Sequence, residues 1–488
     1  MPPGAPLARQ ADPLVRPYPF SRYRPMPALE LPPLPPPPAA ASIDAIVAEL
    51  EASAAAPLLL RAADDLARLS TDYHHDSPVL TPLLRGRSAQ LAVAASTVEQ
   101  VIAVAAACAR HRVPLTVRGA GTGNYGQCVP LAGGLVLDLT GLNRLRRLDP
   151  ASGVVEAEAG CRLADLDGAL APNGRALRLA PSSWRTATLG GFIAGGSGGI
   201  GSLRWGFLRD PGNLLALEVV TLEPQPRLLR LEGSAAQPLN HAYGSNGILT
   251  ALTLATAAAV AWQQLVVGFT DWGAALAAAR ELPTTALDLN ALALLQAPVA
   301  AALPWPQGCP APEAGEQRLL LLAAPDSLPL LPAWLAERGG RLHWQQPEGA
   351  SRGVPLRELC WNHTTLHWRA RNPGWTYLQM LLPQPEAPLL EAVGQRWGPR
   401  VLWHLEAVRQ AGCGRLAALP LVQLQEAAAL AELIDFCRGH GAVIFDPHVL
   451  TVEEGGLGVV DANQVAAKAA HDPAGLLNPG KLRGWSER

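Results

Sequence analysis

The stretch that decides the fold is Val117-Arg118-Gly119-Ala120-Gly121-Thr122-Gly123-Asn124-Tyr125-Gly126-Gln127, which directly follows a predicted strand, PLTVRG. Its glycines permit positive φ angles, so successive backbone N–H groups can point into one concavity that suits a pyrophosphate. Gly121 to Gly126 also spells G-x-G-x-x-G, but that dinucleotide-binding fingerprint has to open a helix. The continuation QCVPLAGG contains Pro130 and two more glycines. We therefore expect a phosphate-holding loop and disfavour an NAD-type dehydrogenase; a purely structural glycine turn is the alternative.

Three further glycine-rich segments follow. The second, PSSWRTATLGGFIAGGSGGIG at residues 181–201, has seven glycines within twelve residues, yet Leu189, Phe192 and Ile193 are interleaved with them. A plain linker would be polar throughout, whereas backbone packed closely against a large flat ligand accounts for this mixture. The third segment is YGSNGILT at residues 243–250, a turn that enters a strand. The fourth is DPAGLLNPGKL at residues 472–482.

The composition excludes several protein classes. The 488 residues suggest two to four domains, and 49% hydrophobic with 16% charged residues allows a large core. A net charge of −2 argues against a nucleic-acid binder with a broad basic surface. The seven cysteines form no C-x-x-C pair, so neither a disulfide scaffold nor a structural zinc site is expected. Without an apolar run of roughly 18 residues or a signal-peptide core, we expect a cytoplasmic protein with no membrane span.

The composition and the predicted secondary structure change along the chain. Residues 1–41 are rich in proline and predict a disordered leader, with a tethering arm as the alternative. A helical pattern begins at Ser42, and residues 88–262 alternate short strands with helices. Within them, Ser96-Thr97-Val98-Glu99 predicts a capping box that starts a helix. Residues 263–440 predict a second α+β domain, in which TYLQMLLP is one strand.

The four glycine-rich segments together, in this order and spacing, resemble the FAD-binding family of vanillyl-alcohol oxidase and p-cresol methylhydroxylase (PCMH). RGAGTGNYG is similar to the pyrophosphate loop of that family, and PSSWRTATLGGFIAGGSGGIGSLRWG to its second loop. GSNGILTALT resembles its third motif, and LLNPGKL its C-terminal return to the FAD. The resemblance covers residues 85–262 and 441–482. It is nearest to bacterial FAD-linked oxidases of the glycolate-oxidase-subunit kind.

The resemblance implies an α+β fold: a two-lobed PCMH-type FAD-binding domain with an α+β substrate-cap domain. The implied domains are the leader (1–41), the FAD-binding domain (42–262, lobes about 42–145 and 146–262), the substrate cap (263–440) and a C-terminal segment returning to the FAD domain (441–488). The implied FAD-binding residues are Arg118, Gly119, Ala120, Gly121, Thr122, Gly123 and Asn124 at the pyrophosphate; Pro181, Ser182, Thr188, Gly190, Gly191, Ala194 and Gly198 along the FAD; Thr250, Ala251 and Leu252 through their backbone; and Asn478 and Lys481, which close the site.

The chain also departs from the pattern of this family. Relatives with covalent flavin often carry a histidine in the first loop, where this chain has Thr122, so we expect noncovalent FAD. Cys161 is the one reservation, because some relatives add a cysteinyl link in the second lobe. Metal-assisted relatives carry H-x-G-D-G-N-x-H and a later E-H-G. The first is missing here, and Gly455 stands where the histidine of the second would be. The metal-assisted relatives with these two motifs act on 2-hydroxy acids. We therefore expect no metal site and disfavour a divalent-metal oxidation of lactate or glycolate.

The candidate catalytic residues are His363, Arg369 and His448, which we expect to converge near the reactive face of the flavin. His363 and Arg369 belong to the polar and aromatic segment CWNHTTLHWR, which fits a helix or a strand, and a pocket wall or a structural cluster. A neutral histidine could accept a hydroxyl proton as hydride leaves, and an arginine could hold a donor carboxylate. His448 follows Phe445-Asp446-Pro447, and a hydrogen-bonded structural histidine is its alternative. His241 could approach either the cofactor or the surface.

By resemblance, the chain is an FAD-dependent oxidoreductase that oxidises a small alcohol, hydroxy acid or sugar-like donor. Its partners would be a small-molecule electron donor and an oxygen, quinone or protein electron acceptor, with no nucleic acid. The alternative is an FAD-binding, non-catalytic partner subunit of a multi-subunit dehydrogenase. A flavin spectrum separates both from an NAD-type enzyme, and reduction by a panel of donors separates one from the other.

Overall fold

The computed structural model describes residues 30–350, 352–424 and 426–486. Most of the predicted leader therefore lies outside the described residues. From residue 30 the chain has neither helix nor strand until α1 begins at Ala40, two residues before the predicted start. In this stretch Pro32 and Leu34 lie against Gly480, where an added Cβ would meet their side chains at 2.9 and 2.7 Å.

The first sheet has the strand order β1-β2-β4-β3, with β2, β4 and β3 parallel and β1 antiparallel. Its strands are β1 (Leu58–Leu60), β2 (Leu91–Ala94), β3 (Leu115–Arg118) and β4 (Leu135–Asp138). The helices beside it are α1 (Ala40–Glu51), α2 (Ala63–Leu69), α3 (Leu80–Leu84) and α4 (Val98–His111). Apolar residues of α1 and α4 share one buried core with β2, β3 and β4. This sheet positions the first glycine-rich loop, which begins where β3 ends.

The predicted capping box is displaced by one residue. The N-cap of α4 is Thr97, whose side chain accepts a hydrogen bond from the N–H of Gln100. The Gln100 side chain in turn accepts from the N–H of Ser96 at 2.7 Å. The prediction placed Ser96 at the cap and Glu99 opposite it. Threonine followed three residues later by glutamine is an equivalent capping pair, so the sequence pattern fits both registers.

The second sheet has the strand order β5-β6-β10-β8-β9, and β7 pairs with the end of β10. Its strands, all paired antiparallel, are β5 (Leu145–Asp149), β6 (Val154–Glu158), β7 (Arg175–Leu177), β8 (Leu214–Val220), β9 (Leu228–Glu232) and β10 (Ile248–Ala258). Its helices are α5 (Leu163–Leu170), α6 (Leu189–Gly195) and α7 (Ser202–Trp205). Val155 and Ala157 of β6 lie in its buried core.

The region from residue 263 builds an eight-stranded sheet and a three-stranded sheet. The larger contains β11 (Gln263–Phe269), β12 (Leu289–Leu295), β13 (Gln317–Ala323), β14 (Arg341–Pro347), β16 (Met380–Leu381), β18 (His404–Gln410), β19 (Cys413–Ala418) and β21 (Val443–Ile444). The smaller contains β15 (Trp375–Tyr377), β17 (Val401–Leu402) and β20 (Leu421–Gln423). The helices are α8 (Trp272–Glu281), α9 (Ala297–Ala302), α10 (Leu331–Ala336), α11 (His363–Arg369), α12 (Ala387–Trp397) and α13 (Ala427–Gly439).

The prediction of one strand in TYLQMLLP is wrong, because the segment supplies two strands to two different sheets. β15 pairs with β20, and β16 pairs with β19 and β21. Between them, Leu378 and Gln379 cross from one sheet to the other, and Gln379 reaches the main cavity of the protein. The segment CWNHTTLHWR, left open between helix and strand, contains helix α11.

The end of the chain returns to the first sheet. It contains α14 (Val452–Gly455), α15 (Ala462–His471) and α16 (Arg483–Ser486). Leu115 of β3 donates its N–H to the carbonyl of Leu476 at 2.9 Å, and its carbonyl accepts from the N–H of Asn478 at 2.7 Å. Residues 476–478 therefore run beside the strand that leads into the first glycine-rich loop. No helix within the described residues is both long enough and apolar enough to cross a membrane.

Candidate cofactor and substrate site

A cavity with a volume of about 520 Å³ is lined by the first two glycine-rich loops and by residues of helix α11. Cofactor sites commonly measure about 300–1,000 Å³. One wall consists of residues 117–125 and 181–199, and the turn at 243–249 contributes to it. The opposite wall includes Glu358, Trp361 and His363. The three segments that were predicted independently from their glycines thus border one space.

The first loop offers an uninterrupted row of hydrogen-bond donors. Within the described residues, none of the N–H groups of residues 119–124 donates a hydrogen bond, although all six residues line the cavity. Gly121 has a φ of +71°, the left-handed region that favours glycine. Beneath the loop, buried Arg118 donates to the carbonyl of Leu69 at 3.3 Å and to that of Ala120 at 3.4 Å. Unpaired N–H groups above a buried guanidinium suit a doubly charged phosphate group.

The two glycine-rich loops touch each other at positions that leave no room for side chains. Thr188 caps α6 by accepting from the N–H of Gly191. A Cβ at Gly119 would meet the Thr188 hydroxyl at 2.2 Å, and a Cβ at Gly190 would meet the Cβ of Ala159 at 2.7 Å. Glycine at these two positions therefore lets the backbone of the first loop pack against Thr188, and that of the second loop against Ala159.

The predicted FAD-binding residues divide into two groups by their position. Fourteen of them line the cavity: Arg118, Gly119, Ala120, Gly121, Thr122, Gly123, Asn124, Pro181, Ser182, Thr188, Gly190, Gly191, Ala194 and Gly198. Five do not: Thr250, Ala251, Leu252, Asn478 and Lys481.

In the third segment the cavity is bordered by the turn and by the start of β10, where Gly244, Gly247 and Leu249 line it. Thr250 is buried and does not line it; its hydroxyl donates to the Glu218 carboxylate at 2.8 Å. Ala251 pairs with both Glu158 and Glu218 in the second sheet. A role of Thr250 to Leu252 in holding FAD stays a prediction.

Asn478 and Lys481 connect the segments that form the cavity. The Asn478 amide donates to the carbonyl of Gln127 at 2.8 Å and to that of Tyr243 at 2.6 Å. The Lys481 ammonium donates to the carbonyl of Gly126 at 2.6 Å. Burial lowers the pKa of Lys481 to about 8. Both residues hold the first loop from behind, which gives the C-terminal return a positioning role at this site.

Of the three candidate catalytic residues, His363 lies on the cavity wall. It is the first residue of α11, and its Nδ1 lies 3.1 Å from the carbonyl oxygen of Glu358. A carbonyl only accepts, so Nδ1 carries the proton and Nε2 keeps its lone pair. Burial lowers the pKa of His363. The imidazole is therefore neutral near pH 7 and available as a proton acceptor.

Arg369 and His448 do not line the cavity but converge on the segment Asp76–Ser77 behind its wall. Arg369 forms an ion pair with Asp76, a cavity-lining residue, and donates to the carbonyl of Trp375 at 2.8 Å. His448 is buried; its Nδ1 lies 2.7 Å from the Ser77 hydroxyl and its Nε2 2.8 Å from the carbonyl of Tyr377. Of the three, His363 alone lines this cavity, and the expected convergence near the reactive face of the flavin stays a prediction. Any catalytic contribution of the other two stays a prediction and would act through Asp76 and Ser77.

Several cavity residues were missed or left undecided by the sequence analysis. His241, undecided between cofactor and surface, lines the cavity with its Nδ1 3.0 Å from the carbonyl of Gly196. Burial, and next to it Arg209, lower its pKa to about 4. Trp361 was not singled out; it has a φ of +53°, and its N–H donates to the Glu406 carboxylate at 2.6 Å. No local pattern marks Trp361, because its partner lies 45 residues away.

The residues present fit FAD. The unpaired N–H groups of residues 119–124 and the buried guanidinium of Arg118 match a pyrophosphate. The cavity wall also carries Phe192, Tyr125 and Tyr243. Tyr125 and Tyr243 stack at 6.2 Å. A lining that combines aromatic rings with backbone donors matches a molecule that is aromatic at its ends and charged in the middle.

Comparison with known proteins agrees with this assignment. Residues 89–231 match the family described as FAD binding domain. Glycolate oxidase subunit GlcD of Escherichia coli (strain K12) is 32% identical over 169 residues, which are 34% of this chain and 34% of that protein. D-lactate dehydrogenase of Anaerostipes hadrus is 30% identical over 195 residues, 38% of this chain and 39% of that protein. The chain thus matches only about a third of the length of these relatives.

The solved structure of alkyldihydroxyacetonephosphate synthase shares the fold. It superimposes with a TM-score of 0.68 at 15% sequence identity and covers 93% of this chain and 88% of its own. The α+β fold prediction is confirmed by this match and by the FAD binding domain. Residues 89–231 are an FAD binding domain, FAD is the cofactor of this chain, and the predicted resemblance to flavoproteins with a PCMH-type FAD-binding domain is confirmed.

Proposed function

We propose that the chain is an FAD-dependent oxidoreductase that oxidises the CH–OH group of a small alcohol, hydroxy acid or sugar-like donor. The observation that carries this proposal is the single cavity with two different walls. Unpaired N–H groups at residues 119–124 form one wall, and the opposite wall holds a histidine of fixed tautomer, His363. The relatives named glycolate oxidase subunit and D-lactate dehydrogenase support a hydroxyl-bearing donor.

The glycine-rich loops would hold the FAD, with residues 118–124 at the pyrophosphate and residues 188–198 along the rest of the cofactor. When bound there, FAD supplies an acceptor for a hydride, that is, for two electrons and one proton. Gly119 packs against Thr188, and Gly190 against Ala159, so glycine at these positions keeps the two loops in place. The task of the loops would be to bind and orient the cofactor.

His363 would act as the base for the donor hydroxyl. Loss of a hydride from a CH–OH carbon leaves a carbonyl only if the hydroxyl proton also departs. Nε2 of His363 has the lone pair to take that proton, because Nδ1–H is held by the carbonyl of Glu358 at 3.1 Å. The lowered pKa keeps this nitrogen unprotonated before the reaction. Asp76 lines the same cavity and can stabilise the imidazolium that forms.

We further propose that the FAD is bound without a covalent link. Cys161, the cysteine considered for a covalent link to the flavin, does not line the cavity. Cys128 does line it, but burial, followed by Asp72, raises the pKa of its thiol to about 12. The thiolate is the nucleophilic form of cysteine, so a thiol with this pKa is unreactive at neutral pH.

Two measurements test the proposed function. Purified protein should show the absorbance bands of oxidised FAD, and these bands should bleach when a CH–OH donor is added without oxygen. Adding oxygen, a quinone or an acceptor protein to the reduced protein then identifies the electron acceptor. A protein that holds FAD but is reduced by no donor in a panel of alcohols, hydroxy acids and sugars would favour the alternative, a non-catalytic partner subunit.

A further inference from the structure

We propose that Arg185 binds the carboxylate of the electron donor and thereby selects a 2-hydroxy acid over an uncharged alcohol. This inference rests on the proposed function and assigns one residue of the same cavity. Arg185 belongs to the second glycine-rich segment, between Pro181 and Thr188, and it lines the cavity. Neither the glycine pattern nor the resemblance singled it out.

The charged residues on the cavity wall leave few candidates for this task. Apart from histidines, they are Asp76, Arg118, Arg185 and Glu358. Arg118 is buried beneath the pyrophosphate loop, where backbone carbonyls occupy its guanidinium. The side chain of Arg185 is 56% exposed, so a ligand that enters the cavity can reach it. Arg185 is therefore the cation on this wall that is open to a donor.

The guanidinium of Arg185 has one nitrogen in an ion pair and two nitrogens available to a ligand. Its Nε forms an ion pair with a carboxylate oxygen of Glu358, a residue of the opposite wall. Among the described residues, the terminal Nη1 and Nη2 groups of Arg185 have no hydrogen-bond or ion-pair partner. Two parallel N–H groups on an arginine match the two oxygens of a carboxylate. Glu358 is then the positioning residue, because it pairs with Nε of Arg185 and leaves Nη1 and Nη2 free.

Glu358 also connects this cation to the proposed base. Its carboxylate holds Arg185, and its backbone carbonyl accepts the Nδ1–H of His363 at 3.1 Å. A 2-hydroxy acid carries its carboxylate on the carbon that bears the hydroxyl. A donor of this class presents both groups to two side chains that are fixed by one residue. An alcohol without the carboxylate would meet His363 but leave Arg185 unsatisfied.

Arg369, the arginine first predicted for a donor carboxylate, is less suited to this role. It is paired with Asp76, donates to the carbonyl of Trp375, and does not line the cavity. A donor would have to break a largely buried ion pair to reach it. Removing one partner from such a pair is strongly unfavourable.

The test is the affinity of the FAD-loaded protein for oxalate, a small dicarboxylate with no CH–OH group to oxidise, measured by calorimetry. Arg185→Met should weaken oxalate binding by about tenfold or more, since hydrogen bonds between charged partners are the stronger kind. Arg185→Lys keeps the positive charge but loses the two parallel N–H groups. Its oxalate affinity should lie between those of the wild type and Arg185→Met. Glu358→Gln should weaken binding by a smaller factor, because the guanidinium is then less firmly oriented.

Arg162→Met is the matched control. Arg162 is 59% exposed and pairs through Nε with Asp165, as Arg185 does with Glu358, but it does not line the cavity. Its replacement should leave oxalate binding unchanged. Equal affinity in wild type and Arg185→Met, or no oxalate binding by the FAD-loaded wild type, would overturn the assignment. Neither result touches the proposed function, which fails instead if purified protein lacks FAD or no donor reduces it.

Discussion

Replacing Gly121 by aspartate should remove FAD from the protein. Gly121 has a φ of +71°, and a Cβ placed there would lie 2.1 Å from Nη2 of Arg118. Any side chain must therefore push the guanidinium away from its place beneath the loop. Aspartate does more than this, because its carboxylate would lie against Arg118. The pyrophosphate would then face a neutral pair where it now meets a cation.

The size of the effect follows from charge and backbone strain. Two unit charges about 4 Å apart interact by ~4 kcal/mol at an effective dielectric constant of about 20. Losing half or all of the attraction of Arg118 corresponds to an FAD affinity about 30- to 700-fold lower. Gly121→Ala places a side chain without charge and adds about 1–3 kcal/mol of backbone strain. The difference in affinity between the two variants therefore isolates the electrostatic part.

The assay is a titration of FAD-depleted protein with FAD, followed by the quenching of flavin fluorescence. Gly174→Asp is the control: it has a φ of +66° in the same backbone region, nothing lies within 4 Å of its Cβ position, and it is outside the cavity. It should bind FAD as the wild type does. Wild-type affinity in Gly121→Asp, with a thermal unfolding temperature close to that of Gly174→Asp, would refute the placement of pyrophosphate at residues 119–124.

Three further predictions follow from the structure. His363→Gln should keep its FAD but slow flavin reduction by an identified donor about 100-fold or more, as loss of a general base does; in the wild type the reduction rate should stay level through neutral pH and fall only in acid, because burial places the pKa of His363 below its usual 6.5. The FAD should be noncovalent, so denatured protein on a gel should show no flavin fluorescence in its band, and a fluorescent band would contradict this. Burial lowers the pKa of Lys481 from 10.5 to about 8, so between these values the unfolded chain binds more protons than the folded one. The free energy of unfolding of the wild type should therefore rise relative to Lys481→Met as pH goes from 8 to 10.5, by up to about 3 kcal/mol, and a pH-independent difference would speak against the burial of a charged amine.

The sequence predicted the glycine-rich part of the cavity lining much better than the part that comes from residues 358–379. The loop at residues 119–124 and the helix turn at Thr188 are local structures, in which glycine spacing and one capping residue decide the backbone. Such features can be predicted from one continuous stretch of sequence. Leu378 and Gln379, by contrast, interrupt a pattern that predicts one strand, because two different sheets pair with its two halves. The sequence of a segment does not by itself predict which distant strands will pair with it.

For the candidate catalytic residues, the sequence likewise does not predict which partner each side chain contacts. A polar residue in an otherwise apolar segment must find a partner, and the sequence does not tell whether that partner is a ligand or another part of the protein. For Arg369 the partner is Asp76, 293 residues away, and for His448 it is Ser77, 371 residues away. For His363 the partner is the nearby Glu358, which occupies one ring nitrogen and leaves the other free. The protein thus uses two polar side chains to fix the wall at Asp76–Ser77 and presents a third to the cavity. The free ring nitrogen, more than the residue type, is the property that a base at this site requires.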